Sequence, residues 1–60
     1  MMRYLIKTDI DGMEIRLIEG KYSFAVVYGM QNKHFPLNEK KLALNEYKSC
    51  VNHALKCLGD

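Results

Sequence analysis

The sequence predicts an α+β protein, a three- or four-stranded antiparallel meander followed by one long C-terminal helix packed on one sheet face. Three observations carry this expectation. Apolar and polar residues alternate through the first half of the chain, the period of a half-buried strand. Turn dipeptides, Asp11-Gly12 and Gly20-Lys21, punctuate that alternation. From Glu39 to Leu58 there is neither glycine nor proline, and apolar residues recur at helical spacing.

The first strand is expected over residues 2–10, with Tyr4, Ile6, Thr8 and Ile10 on one side and Arg3, Leu5, Lys7 and Asp9 on the other. Asp11-Gly12 then suits a two-residue hairpin turn, in which both central residues need positive φ. Met13 to Glu19 alternates again, with Met13, Ile15 and Leu17 on one side. Gly20-Lys21 places glycine first, as a type II′ turn requires. Tyr22 to Tyr28 forms the third strand, presenting Tyr22, Phe24, Val26 and Tyr28 together.

These turns fix a register. They set Ile10 opposite Met13, Thr8 opposite Ile15 and Ile6 opposite Leu17. They also set Leu17 opposite Phe24, Ile15 opposite Val26 and Met13 opposite Tyr28. Directly opposed residues share a face, so the large apolar side chains gather on one side without a slip. Gly29 to Lys33 reads as a turn. Lys33-His34-Phe35 either adds a short edge strand or crosses over, and Pro36, with no N–H to give, stops any ladder.

Asn38 is the expected N-cap of the helix, and Leu37 and Leu42 have the spacing of a hydrophobic staple. Leu44, Tyr47, Val51, Ala54, Leu55 and Leu58 mark the buried stripe, while Lys41, Asn45, Lys48, Asn52 and Lys56 form the solvated face. Gly59 is a natural stop.

The chain of 60 residues reads as a single βββ(β)α domain spanning residues 1–60. A chain this short buries only about 60% of its unfolded surface, too little for a second domain or a deep enclosed cleft. Nine basic and seven acidic side chains give a net charge of +2, without the clustered basic stripe of a dedicated nucleic-acid binder. Two cysteines are too few for a secreted disulfide framework. No apolar run reaches the ~20 residues of a membrane span, and Met1-Met2-Arg3-Tyr4 does not open a signal peptide. The expected setting is the cytoplasm.

Cys50, His53 and Cys57 form C-x2-H-x3-C within the helix, on one edge of its apolar stripe. Thiolate and imidazole at that spacing suit a soft divalent metal, with His34 or a dimer partner as the fourth ligand of a zinc site. The better reading is that the cysteines pack as small core residues with His53 at the rim, and no cofactor is expected. The cysteines stand two helical turns apart, about 10 Å, too far to bridge each other. Asp9, Asp11 and Glu14 lack the spacing of a calcium loop and read as a polar turn. No nucleophile–base pair or phosphate loop is legible, and an enzyme is not expected. The aromatic set Tyr4, Tyr22, Phe24 and Tyr28 would stack bases if exposed, but it shares a face with Ile6, Ile15, Leu17 and Val26 and reads as core.

The other sheet face carries Leu5 beside Ile18, then Lys7, Arg16 and Ala25, then Asp9, Glu14 and Val27. A solvated face is normally more polar than this. Leu5, Ile18, Ala25 and Val27, with Lys7 and Arg16 setting polarity, are the expected interface with a partner or a second copy. A domain below about 70–80 residues without disulfides often needs such support.

The stretch Tyr28-Gly29-Met30-Gln31 through Phe35 to Glu46-Tyr47-Lys48-Ser49-Cys50-Val51-Asn52-His53-Ala54-Leu55-Lys56-Cys57-Leu58-Gly59 resembles, in style, short proteins encoded by bacteriophages and Gram-positive mobile elements. The resemblance implies a compact homodimer without enzymatic activity that binds and blocks a bacterial host protein, such as a defence or regulatory factor. A second likeness is to small antitoxins that open on strand–Asp-Gly–strand. This chain lacks their glycine-rich segment, and its helix follows all the strands. A small nucleic-acid-binding regulatory protein using Lys33, Lys40, Lys41, Lys48 and Lys56 is the competing class.

Overall fold

The computed structural model describes residues 3–59. Four strands form one antiparallel sheet in sequence order: β1 (Arg3–Ile10), β2 (Met13–Glu19), β3 (Ser23–Tyr28) and β4 (Gln31–Pro36). A short 3-10 turn, Leu37–Glu39, leads into α1 (Lys40–Gly59), which lies across one face of the sheet. Met2, which the alternation assigns to the first strand, lies outside the described residues. No described helix is long and apolar enough to cross a membrane.

The first hairpin forms as its sequence dictates. Asp11 and Gly12 have φ of +51° and +83°, the two positive values that a type I′ turn needs. Asp9 secures the turn, its Oδ1 accepting from the Gly12 N–H at 3.0 Å. Ile10↔Met13, Thr8↔Ile15 and Ile6↔Leu17 pair as expected.

Two corrections follow along the sheet. A bulge interrupts β1 between Tyr4 and Ile6, so that Tyr4, not Leu5, stands opposite Ile18. Leu5 packs against the hydrophobic core instead. A bulge sets two residues against one, which lets Leu5 and Ile6 both serve the helix side and sends Tyr4 to the other. The second correction is the β2–β3 register, displaced by two residues: Leu17 pairs with Val26 and Ile15 with Tyr28. Lys21-Tyr22 forms the tip, closed by the Gly20 N–H on the Ser23 carbonyl at 2.8 Å. A Cβ on Gly20 would stand 3.0 Å from that same carbonyl oxygen. Glycine is therefore needed there for close approach, not for a positive φ. Tyr22 is consequently 79% exposed rather than part of the core. Because the displacement is even, Ile15, Leu17, Phe24 and Val26 keep the predicted face, and all are buried.

The fourth strand is complete. It pairs with β3 from Tyr28↔Gln31 to Ser23↔Pro36, so the turn shrinks to Gly29-Met30. Gly29 supplies the positive φ, +61°.

The helix begins later than its sequence signals suggest. Asn38 lies inside the 3-10 turn, Pro36 occupies the cap position and no side chain caps it. Leu37 and Leu42 are both exposed. Gly59 is the last helical residue. The line that meets the sheet is Ala43, Tyr47, Cys50 and Ala54. Leu44 and Val51 pack beside it, half-buried, whereas Leu55 and Leu58 stay exposed. Small side chains let the helix approach a sheet that already supplies Ile15, Leu17 and Val26, the largest fully buried residues.

Candidate protein-binding face

The face of the sheet turned away from α1 is read off the pairing. Arg16 stands opposite Lys7 and Val27, Ile18 opposite Tyr4 and Ala25, and Ala25 opposite His34. The alternation of β2 and β3, and of β1 beyond its bulge, thus delivers Lys7, Arg16, Ile18, Ala25 and Val27 to this face, as the sequence predicts. Leu5 is the exception, for the bulge carries it to the core side. Tyr4 takes its place, 59% exposed.

The face has two different ends. Toward the first hairpin it is charged and internally satisfied. The Glu14 carboxylate accepts from Lys7 Nζ at 3.3 Å and from the Arg16 guanidinium. The Arg16 guanidinium also lies 5.8 Å from the centre of the Tyr4 ring, within cation–π range. The Arg16 hydrogen bond, followed by that of Lys7, holds the Glu14 carboxyl below its ordinary value. Glu14 in turn raises Arg16. One carboxylate thus serves both of the positive charges expected to set polarity.

Toward the second hairpin the face is apolar and concave. Ile18, Ala25 and Val27 floor a depression walled by Lys21, Tyr22, Asn32 and His34. Ile18 is 8% exposed although nothing but sheet lies beneath it, because it sits between Tyr4 and Ala25 on the neighbouring strands. The Lys21 ammonium stands 5.4 Å from the centre of the Tyr22 ring. Among the described residues no carboxylate lines this depression, and Lys21 gives its rim a basic charge.

A second depression lies between α1 and the β3–β4 end, lined by Tyr28, Gln31, Glu46, Ser49, Cys50 and His53. It holds Cys50 and His53, two of the residues singled out for metal chemistry. Cys50 is buried, and its thiol donates to Glu46 Oε2 at 3.6 Å. His53 Nδ1 lies 2.9 Å from the Tyr28 hydroxyl and 3.9 Å from the Cys57 sulfur. Among the described residues no three His, Cys, Asp or Glu side chains gather on one point. His34, the suggested fourth ligand, is on the opposite face of the sheet. Burial, then the neighbouring Glu46, pushes the Cys50 thiol up, away from the thiolate that a nucleophile or ligand requires. Burial also raises the Tyr28 phenol, with Cys57 and Cys50 contributing. Tyr28 and His53 meet edge to face, ring centres 5.9 Å apart, and fasten the helix to the sheet.

The remaining sequence candidates disperse. Lys40, Lys41, Lys48 and Lys56 are exposed on α1, and Lys33 is paired with Glu46 at 3.2 Å. The exposed helix lysines and the exposed rings of Tyr4 and Tyr22 do not share a surface. Sequence reasoning missed Tyr4 and Tyr22 as surface aromatics. The unbroken apolar run Tyr4-Leu5-Ile6, which cannot alternate, is the signal that marks the bulge.

No protein-family model, curated protein or solved structure matches the chain.

Proposed function

We propose that this chain is a non-enzymatic protein-binding module that works through the open face of its sheet. The observation that carries the reading is the Ile18–Ala25–Val27 depression, apolar at its floor and basic at its rim. Such a surface suits a partner segment that inserts an apolar side chain next to an acidic one. Aromatic residues at the margin, here Tyr22 and Tyr4, supply rigid contact area of the kind that anchors interfaces. The resemblance of the C-terminal half to short phage and mobile-element proteins supports a bacterial host protein, a defence or regulatory factor, as the partner. It supports action as a homodimeric inhibitor in the host cytoplasm.

Affinity capture from a bacterial host lysate tests the reading, followed by titration of the captured protein. The comparison variant is Ala25→Glu, which places a carboxylate on the floor of the depression without opening a cavity. The expected result is a partner that binds the wild type and not Ala25→Glu, with the variant's melting temperature close to that of the wild type. Equal capture by both would move binding to another surface.

A further inference from the structure

The helix closes unequally on the two sides of the sheet. Toward β4, Glu46 pairs with Lys33 and His53 bonds Tyr28. At about 100° per residue, Leu44, Val51 and Leu55 fall on the other side of the Ala43–Tyr47–Cys50–Ala54 line. That side overhangs β1, which Tyr47 reaches through its bond to Thr8. There Leu55 is 51% exposed, and Ile6 on β1 is 39% exposed. The apolar flank of the helix and the outer strand are thus both left partly uncovered on this side.

β1 is also an open edge. The two-residue turn makes Ile10↔Met13 a hydrogen-bonded pair, and such pairs alternate along a ladder. Ile10, Thr8 and Ile6 therefore bond to β2, and the N–H and C=O groups of Lys7 and Asp9 point outward. At the opposite edge Pro36 removes an outward donor from β4, a common way of blunting an edge. β1 contains no proline.

We infer that the β1 edge is the seam of a homodimer, in which β1 of a second copy adds antiparallel about a two-fold axis at Thr8. Charge selects this register. An axis at Lys7 would oppose two lysines, and an axis at Asp9 two aspartates, each destabilising. An axis at Thr8 sets Lys7 opposite the partner's Asp9, twice. The same two residues own the outward backbone groups, so ladder and charges are satisfied together. Lys7 Nζ, already 3.3 Å from Glu14, is shared between the two carboxylates. On the helix side, Ile6 faces the partner's Ile10, and the leucine flanks of both helices overhang the joint. Two four-stranded sheets become one, and the open face with its Ile18 depression remains available. The inference does not depend on what that face binds.

Sedimentation equilibrium across the micromolar range, together with cross-linking, tests it. Wild type is expected to be a dimer. In a Cys57→Ser background, Thr8→Cys should form a disulfide-linked dimer on mild oxidation. Opposed Cα atoms of a non-hydrogen-bonded pair lie about 4.5 Å apart, within disulfide reach. Ile18→Cys in the same background should stay uncrosslinked. Lys7→Glu and Asp9→Lys should each weaken self-association about tenfold, since two attractive pairs become repulsive. Mixed together, these variants should associate more tightly than either alone, because each restores the other's pairs. Ala25→Glu should leave the dimer intact even where it abolishes partner capture. A wild type that stays monomeric, or a dimer cross-linked through Ile18→Cys and not Thr8→Cys, overturns the inference. So does a mixture no tighter than its components.

Discussion

The two flanks of the helix meet the sheet by different chemistry. On the β4 side the contact is polar, made by the Lys33–Glu46 pair and the Tyr28–His53 bond beside a depression lined by Tyr28, Glu46 and His53. On the β1 side it is apolar and incomplete, with Ile6, Leu55 and Leu58 left substantially exposed and the Thr8–Tyr47 bond as the polar contact. The helix is thus latched on one side and unfinished on the other. Surface ion pairs contribute little to stability. The fold therefore rests on the buried line between the flanks, and the β4 latch chiefly sets where the helix lies.

Substitutions test that contrast directly. The largest effect belongs to neither flank. Ile15→Ala empties the fully buried centre and should cost about 2–5 kcal/mol in urea unfolding. A loss well below that would mean the core is looser than the packing implies. Gly29→Ala comes next. Its φ of +61° belongs to the left-handed region, which costs a side chain about 1–2 kcal/mol, so the β4 hairpin should weaken by that amount in thermal melts. Tyr47→Phe removes the polar contact on the β1 side and should cost about 1 kcal/mol. Lys33→Ala, which opens the β4 latch, should cost at most about 1 kcal/mol and less in high salt. If Lys33→Ala proves more damaging than Tyr47→Phe, the ranking of the two flanks is reversed.

The pH dependence adds a smaller signature. Cys50 and Tyr28 both have folded values raised above their ordinary ones. Their contribution is complete while both groups are neutral in the unfolded chain. It declines as pH climbs past the ordinary thiol value and then the phenol value. Stability should therefore fall on the alkaline side, and Cys50→Ala should flatten the first part of that fall. Glu14 is lowered, so its contribution is present above the ordinary carboxylate value and fades as pH drops through its folded value. Glu14→Gln should remove that acid-side slope. Equilibrium unfolding at a series of pH values reads both.

Much of the fold is legible in the residues. The Asp11-Gly12 turn and the β1–β2 register from Ile6 to Ile10 follow from local chemistry. The β2–β3 register does not. Gly20 looks like the central residue of a type II′ turn, but it flanks the tip because its backbone approaches Ser23. The faces survive this two-residue displacement because strand side chains alternate with period two. The bulge at Leu5 is a one-residue change and does move side chains between faces. That is why Leu5 left the expected binding face and Tyr4 entered it. In the helix, hydrophobicity favours the leucines as the buried stripe, whereas close approach favours Ala43, Cys50 and Ala54. Packing distance is a property of two surfaces and is not written in either one alone.

Although the fourth strand stood open between an edge strand and a crossover, local patterning in the sequence dictated the first three strands, the C-terminal helix, the apolar sheet face beneath it and the presence of Ile18, Ala25 and Val27 on the other. Each follows from periodicity and turn chemistry, which act over a few neighbouring residues. The tertiary structure decided where the helix settles, which edge of the sheet it covers, and which aromatic rings reach the surface. Those outcomes depend on how closely the helix can approach residues distant in the chain. They are set by the volumes and hydrogen-bond partners that meet there.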